Sequence, residues 1–358
     1  MRRMFMAGLI VGSCSFSDMA LSAAQDSSLT INGNVDVMYS WSGNQPRNHQ
    51  RSFQTQPSRN DEIIVNHALL AFRYGSDDYR LRVALQAGTF AEANYVGADA
   101  AWKNVHELSA GARIANGLWI DAGIMPSHIG YESMIARDNI NVSRSLIADY
   151  TPYYEAAVKL TWSPSPMIDA SILLLNGWQQ IVDVNDDKAF GSQIVVRPTS
   201  ALTMNWSTYV GNEPTPSGSG LRIHNNVWVQ LQASDDLLLA LLADACIQHR
   251  PADSTSGTDA THNMWYLALQ SRYSVSDAVR IGARMEWFDD PNTILIAPAN
   301  ATSFRTGGAS LNIDVLPSTP VLLRGEVRWL GADNDVFPSD NGFRSSDVFV
   351  TASMSVAF

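Results

Sequence analysis

The sequence predicts an all-β protein: a transmembrane, antiparallel up-and-down β-barrel of about 16 strands preceded by a signal peptide. Three observations predict it. The last stretch holds a period of two up to the final residue, with Val348, Val350, Ala352, Met354, Val356 and Phe358 on one side and Asp347, Thr351, Ser353 and Ser355 on the other. Phe349 breaks the pattern. The preceding chain resolves into alternating segments of about ten to fourteen residues, the length of a tilted membrane-crossing strand. Their connections are short and long by turns.

Met1-Arg-Arg, a short apolar run from Met4 to Val11, and small residues up to Ala24 read as a secretory signal peptide, residues 1–24. Cleavage after Ser22 or Ala24 fits the small-x-small rule. The competing reading is a lipoprotein box, Val11-Gly-Ser-Cys14, with an acylated Cys14. Residues 25–358 then form one barrel domain. Its strands are expected near 29–42, 61–74, 78–89, 104–115, 117–127, 153–163, 167–178, 189–197, 201–211, 222–233, 236–249, 262–273, 278–289, 304–314, 320–331 and 346–358.

Short turns such as Gly75-Ser-Asp77, Asn116-Gly117 and Pro164-Ser-Pro166 alternate with polar stretches at 43–60, 90–103, 128–152, 212–221, 251–261, 290–303 and 332–345. Tight periplasmic turns, longer outer loops and an even strand count belong together in an outer-membrane barrel. A soluble sandwich or propeller also has many short strands, but gives no reason for this alternation.

Composition agrees. No apolar run approaches the roughly 18 residues of a spanning helix, mean hydropathy is -0.08, and 16% of residues are charged against about 25% in soluble proteins. Cys14 and Cys246 leave the mature chain one thiol and no intramolecular disulfide. A net charge of -11 argues against a nucleic-acid partner.

Sorted by face, the segments put charge opposite the aliphatics. Tyr79, Leu81, Val83 and Leu85 alternate with Arg80, Arg82 and Gln86. The charged row continues through Glu107, Arg113, Glu155, Lys159, Arg197, Arg222, His224, Arg272, Arg280, Arg284, Glu286, Arg324, Glu326 and Arg328. A charged side chain facing lipid at the midplane costs about 2–4 kcal/mol, so these residues are expected to face a wet interior. The pore-lining candidates are Arg80, Arg82, Arg113, Lys159, Arg197, Arg222, Arg272, Arg280, Arg284, Glu286, Arg324, Glu326 and Arg328. Aromatic residues near segment ends (Tyr39 and Trp41, Phe72 and Tyr74, Tyr154 and Trp162, Trp178, Trp287, Trp329, Phe358) read as headgroup-level girdles.

Between residues 120 and 180 the motifs are more specific. Gly123-Ile-Met-Pro126, Gly130-Tyr-Glu132, Ser143-Arg-Ser145 and Asn176-Gly-Trp178 resemble, in this order, the OmpL-like beta-barrel porin-2 family. The resemblance implies a channel in the outer membrane of a Gram-negative bacterium, passing small hydrophilic solutes or ions by passive diffusion without a cofactor. It names no solute.

About sixteen strands leave a lumen too wide for wall side chains to fill. The arginine rows suggest a preference for anions or neutral polar solutes, unless Arg and Glu neighbours neutralise each other. The third long loop, 128–152, either folds inward or caps the surface; folded inward, its Glu132, Arg137, Asp138, Arg144 and Asp149 line a constriction. Arg47, Arg51, Arg59 and His49 make the first loop basic, a feature suited to lipopolysaccharide or to plain solvation. Phe358 is the expected signal to the barrel assembly machinery. Two other classes remain: a scaffold or adhesin whose loops bind envelope partners, and a barrel-housed lipid hydrolase. For the hydrolase, His67, His106, His224 and His249 are possible bases, but no Gly-x-Ser-x-Gly accompanies them, and no His or Cys spacing suits a metal. An enzyme is therefore not expected.

Overall fold

Sixteen strands close on themselves in the computed structural model, which describes residues 28–183, 185, 187–252 and 257–358. The signal peptide and Cys14 lie outside the described residues. The strands are β1 (Ser28–Ser42), β2 (Ile63–Gly75), β3 (Tyr79–Ala87), β4 (Val105–Ala115), β5 (Leu118–Pro126), β6 (Tyr154–Ser165), β7 (Ile168–Leu175), β8 (Ala189–Thr199), β9 (Leu202–Thr215), β10 (Gly218–Gln232), β11 (Leu237–Arg250), β12 (Ala260–Ser276), β13 (Val279–Asp290), β14 (Phe304–Ser318), β15 (Val321–Ala332) and β18 (Ser346–Ala357). The remaining pair, β16 (Phe337–Ser339) and β17 (Gly342–Arg344), is a small hairpin inside the last long loop. Every barrel strand pairs antiparallel with its chain neighbours, and β1 pairs β18 from Asn34 opposite Ala357 to Ser42 opposite Phe349.

The seam is closed at its lower end by Phe358. Its backbone exchanges hydrogen bonds with Gly33 at 3.0 and 3.1 Å, and its ring lies over Gly33, where an added Cβ would meet it at 2.2 Å. Gly33 leaves room for that ring.

The period of two sets which face meets lipid. Leu81, Leu85, Val158, Leu267, Leu269, Leu323 and Val327 are exposed on the outside, while their alternates point inward. The outer aromatics include Tyr39, Trp41, Tyr74, Trp162, Trp287 and Trp329. Two expected girdle residues are elsewhere: Tyr154 is buried in a stack on Tyr95 (centroids 4.0 Å apart), and Trp178 packs on Tyr209 and His224. Phe349, the exception in the last strand, points inward and is 1% exposed beneath the Arg51 guanidinium, 4.6 Å from its carbon to the ring centroid.

The loop expected at 212–221 is instead strand. β9 and β10 run on to Thr215 and Gly218, leaving the two residues 216–217 as the turn. Polar residues are compatible with strand here because Glu213 points inward and accepts from the Trp178 backbone N–H at 3.0 Å. At Gly220 the His249 carbonyl comes too close for any Cβ.

Candidate functional site

The barrel interior is occupied by its own third long connection, residues 127–153, between β5 and β6. It carries a helical turn, α1 (Leu146–Tyr150), whose N-cap Ser145 hydroxyl accepts from the Ala148 N–H. Most of the segment is buried. It crosses the lumen to the far wall, and its polar groups meet the inward rows of β10, β12, β13, β14 and β15.

Arginines on that wall bind backbone carbonyls. Arg324 donates to the carbonyls of Ala136 (2.8 Å), Asn139 (3.0 Å) and Ile140 (2.8 Å) while held by Asp314 at 2.8 Å. Arg284 donates to the Ser143 carbonyl at 2.8 Å, and Arg328 to that of Arg144 at 2.6 Å. Carboxylates receive the N–H groups. Glu326 accepts from the Ser143 N–H and hydroxyl at 2.5 and 2.9 Å, and Glu286 from the Leu146 N–H at 2.8 Å. A non-helical segment inside a barrel must satisfy its backbone somewhere, and this wall supplies the partners. Gly282 leaves space for it, since a Cβ there would meet the Ile140 carbonyl at 2.8 Å.

The five loop residues singled out from the sequence do different jobs. Glu132 bonds the Ser145 N–H and hydroxyl at 2.8 and 2.6 Å and reaches Gln270 at 3.0 Å and Arg284 at 3.5 Å. Arg144 donates to the Ser133 carbonyl, its carbon 4.1 Å from the Tyr153 ring centroid. Asp149 accepts from the Thr55 and Tyr153 hydroxyls at 2.5 and 2.6 Å, and burial raises its carboxyl above the usual aspartate value. Arg137 reaches the Pro320 carbonyl in the β14–β15 turn at 3.2 Å, so the loop extends to the short-turn end. Asp138, beside it, is also raised by burial.

Apolar packing completes the contact on all sides. Tyr131, Ile140, Leu146 and Ile147 join a cluster with inward Trp228, Leu238, Leu242, Met264, Tyr266 and Phe288. Ile129 packs with Met125, Leu173, Leu175 and Tyr209; Met134 with Phe90, Tyr95, Tyr153 and Tyr154; Ala136 and Val142 with Met38 and Ile64. Each of the sixteen barrel strands carries at least one inward side chain that is 6% exposed or less. The expectation of a wet inner face therefore fails at this level. Arg284, Glu286, Arg324, Glu326 and Arg328 point inward but are buried against the loop, and Arg222 is buried on Gln248 (2.8 Å) and Trp178.

The other inward cations lie nearer the short turns and are more open. Arg80 binds Asp121 (Nε to Oδ1 2.6 Å) over the Trp119 ring. Arg197 binds Asp169 at 2.6 Å, Arg82 lies 3.7 Å from Glu107, and Arg113 reaches Asp78 at 2.8 Å. Lys159 stands opposite Asp121 in the ladder. Arg272 and Arg280 are partly buried on β12 and β13.

From residue 28 to residue 358 the chain matches the family model described as "Putative beta-barrel porin-2, OmpL-like". The chain belongs to this family. No curated protein matches it, whereas many solved barrels share the porin's fold. The anion-selective porin of Comamonas acidovorans aligns with a TM-score of 0.64 and 11% identity over 93% of this chain and 100% of that one. The outer membrane channel DcaP of Acinetobacter baumannii gives 0.62 and 12% over 93% and 97%, and Salmonella typhi OmpF gives 0.56 and 12% over 92% and 97%. The porin is thus an outer-membrane barrel of a Gram-negative bacterium.

Several contributors to the interior carried no sequence signal of their own. Gln270, Asn312 and Thr55 bind the loop only because the fold places them there. Arg51, expected to make the first loop basic toward the outside, is buried, donates to Gln54 (2.5 Å) and the Pro57 carbonyl (3.2 Å), and is lowered to about 9 by burial. The four histidines singled out as possible bases have other partners: His67 and His106 share Gln86, His224 bonds Asp244 at 2.8 Å, and His249 lies 3.7 Å from Asp259.

Proposed function

We propose that this porin passes small hydrophilic solutes by passive diffusion and that residues 127–153 control the passage, the conformation described above being the shut one. The observation that carries the reading is the ring of buried inward side chains around the loop. A sixteen-strand barrel is wide enough for an aqueous channel, and here the loop occupies that width. Conduction then requires the loop to shift from the wall, exposing the inward charges of β13–β15 beside those of β3–β8. With Arg80, Arg82, Arg113, Lys159, Arg197, Arg272 and Arg280 on the remaining surface, the open channel favours anions or neutral polar solutes. Residues 1–24 are the export signal, residues 25–358 the single barrel domain, and Phe358 the recognition end for the barrel assembly machinery. The outer loops meet lipopolysaccharide.

The test is planar-bilayer conductance of the full barrel and of a variant lacking residues 133–148, with reversal potentials in a salt gradient. The deletion is expected to raise single-channel conductance about tenfold or more, because a wide bore replaces a filled one, and to give anion-favouring potentials. Unchanged conductance would sink the control by the loop. A second reading rests on the same filled interior: a barrel scaffold whose outer loops bind envelope partners. Absence of conductance in both proteins would favour it. A hydrolase is the weaker alternative, since the buried histidines are bound to Gln86 and Asp244.

A further inference from the structure

Arginines along the inner wall almost all have a hydrogen-bond or ion-pair partner, and the exceptions sit together. Arg80, Arg197, Arg284, Arg324 and Arg328 each have a carboxylate within 3.6 Å, and Arg222 has Gln248. Arg272 and Arg280 have no hydrogen-bond or ion-pair partner among the described residues. In the β12–β13 ladder Arg272 stands opposite Gly282 and Arg280 opposite Ser274, so the two guanidinium groups are diagonal neighbours on the inward face, within reach of each other for long side chains. The short β12–β13 turn follows directly, which places them at the short-turn mouth below the loop.

The surroundings do not cancel the charge. The ionisable groups that act most strongly on Arg272 are Arg280, Tyr131, Asp314 and Arg324. Asp314 is the only carboxylate of the set, and it stands opposite Arg280 in the β13–β14 ladder. Both of its oxygens are taken by Arg324, at 2.8 and 3.1 Å, and Oδ1 also accepts from Asn312 at 2.9 Å. Tyr131 spends its hydroxyl on Gln230 at 2.8 Å. Two partly buried, adjacent like charges with ten N–H donors between them are costly in this state. A ligand with several negative oxygens removes that cost.

We propose that Arg272 and Arg280 form a binding site for a small oxyanion, inorganic phosphate or the phosphate group of a small solute, entered from the short-turn mouth while the loop shuts the other side. Planar guanidinium forks match the edges of a tetrahedral oxyanion, which accepts from both at once, whereas chloride accepts at a single centre. The site deepens the anion preference proposed above by naming a solute class, and it rests on that reading only for its place on a solute path. The binding itself needs no conduction.

The experiment is calorimetric titration of the refolded full barrel in detergent with inorganic phosphate at low ionic strength, where surface screening is weak, with chloride as comparison. Saturable phosphate binding stronger than chloride binding is expected. Arg272→Gln with Arg280→Gln should weaken it about tenfold or more, since charge-assisted bonds on both sides are lost. Arg305→Gln, which removes an exposed arginine bound to Asp289 off the inward row, should leave it unchanged. If the double variant does not refold, Arg280→Lys reads the same site: it keeps the charge, loses the fork and should bind more weakly. No phosphate binding to the original chain, or equal binding by it and the Arg280 variants, overturns the site. Conductance in bilayers without phosphate binding would remove the site and leave the channel; phosphate binding without conductance would do the reverse.

Discussion

On β13–β15, Arg284, Arg324 and Arg328 reach across into the carbonyls of the 127–153 loop, whereas on β3 and β8, Arg80 and Arg197 reach sideways to Asp121 and Asp169 on nearby strands. Both walls present arginine on an inward row of a strand with period two, so they look alike in sequence. In the first wall the guanidinium completes the hydrogen bonding of a backbone that has no ladder of its own; in the second it completes an ion pair at the edge of open water. An inward arginine of a barrel thus reports a need for acceptors, and water is only one of the things that can supply them.

That contrast can be broken from either side. The largest effect is expected from Glu326→Ala, which strands the Ser143 N–H and removes a carboxylate 3.6 Å from Arg284. Losing one partner of a buried charged set costs about 3–5 kcal/mol, so the undocked population should rise by two orders of magnitude or more. Trypsin cleavage after Arg137 or Arg144 in the refolded barrel measures that population, and an unchanged rate would mean the loop does not depend on this wall. Acidity should give an intermediate effect. Asp149 is raised from 3.8 because burial outweighs the help of Arg144, the Thr55 and Tyr153 hydroxyls and Arg328. The docked loop therefore holds a proton more tightly than the free one. Docking gains as pH falls through the raised value, the gain is complete below 3.8, and it is lost as pH rises through the docked pKa. Measured against Asp149→Asn at each pH, which cancels the protease's own pH dependence, cleavage of the original chain should slow on acidification, with pepsin as the protease in the acid range. The smallest effect belongs to Arg80→Gln. Its pair is partly open, with Arg80 24% and Asp121 13% exposed, so the cost is about 1 kcal/mol, read as a small drop in melting temperature without faster loop cleavage.

The strand pattern was legible because lipid imposes it: outer faces must be apolar, and Leu81, Val158, Leu269 and Val327 obey. The expected segments agree with the observed strands to within a few residues, except that β9 and β10 run on where Pro214 and the glycines near 218 suggested a loop. The interior was harder to read, because rules for a wet lumen say nothing about a lumen filled by protein. Ser143-Arg-Ser145 and Gly130-Tyr-Glu132 were visible as motifs, but their partners Glu326, Arg284 and Gln270 lie more than a hundred residues away. One signal of the filled interior does lie in the sequence. β11 reads Leu237-Leu-Leu-Ala-Leu-Leu-Ala243 with no alternation, and a strand apolar on both faces in a membrane barrel has something other than water inside it.

That strand has a consequence before the barrel exists. From Leu237 to Ile247 it contains one charged residue, Asp244, and no proline or glycine, the makeup of a segment that stacks readily with copies of itself. During transit through the periplasm both of its surfaces are sticky. The stretch stays open to self-association until β10 and β12 flank it.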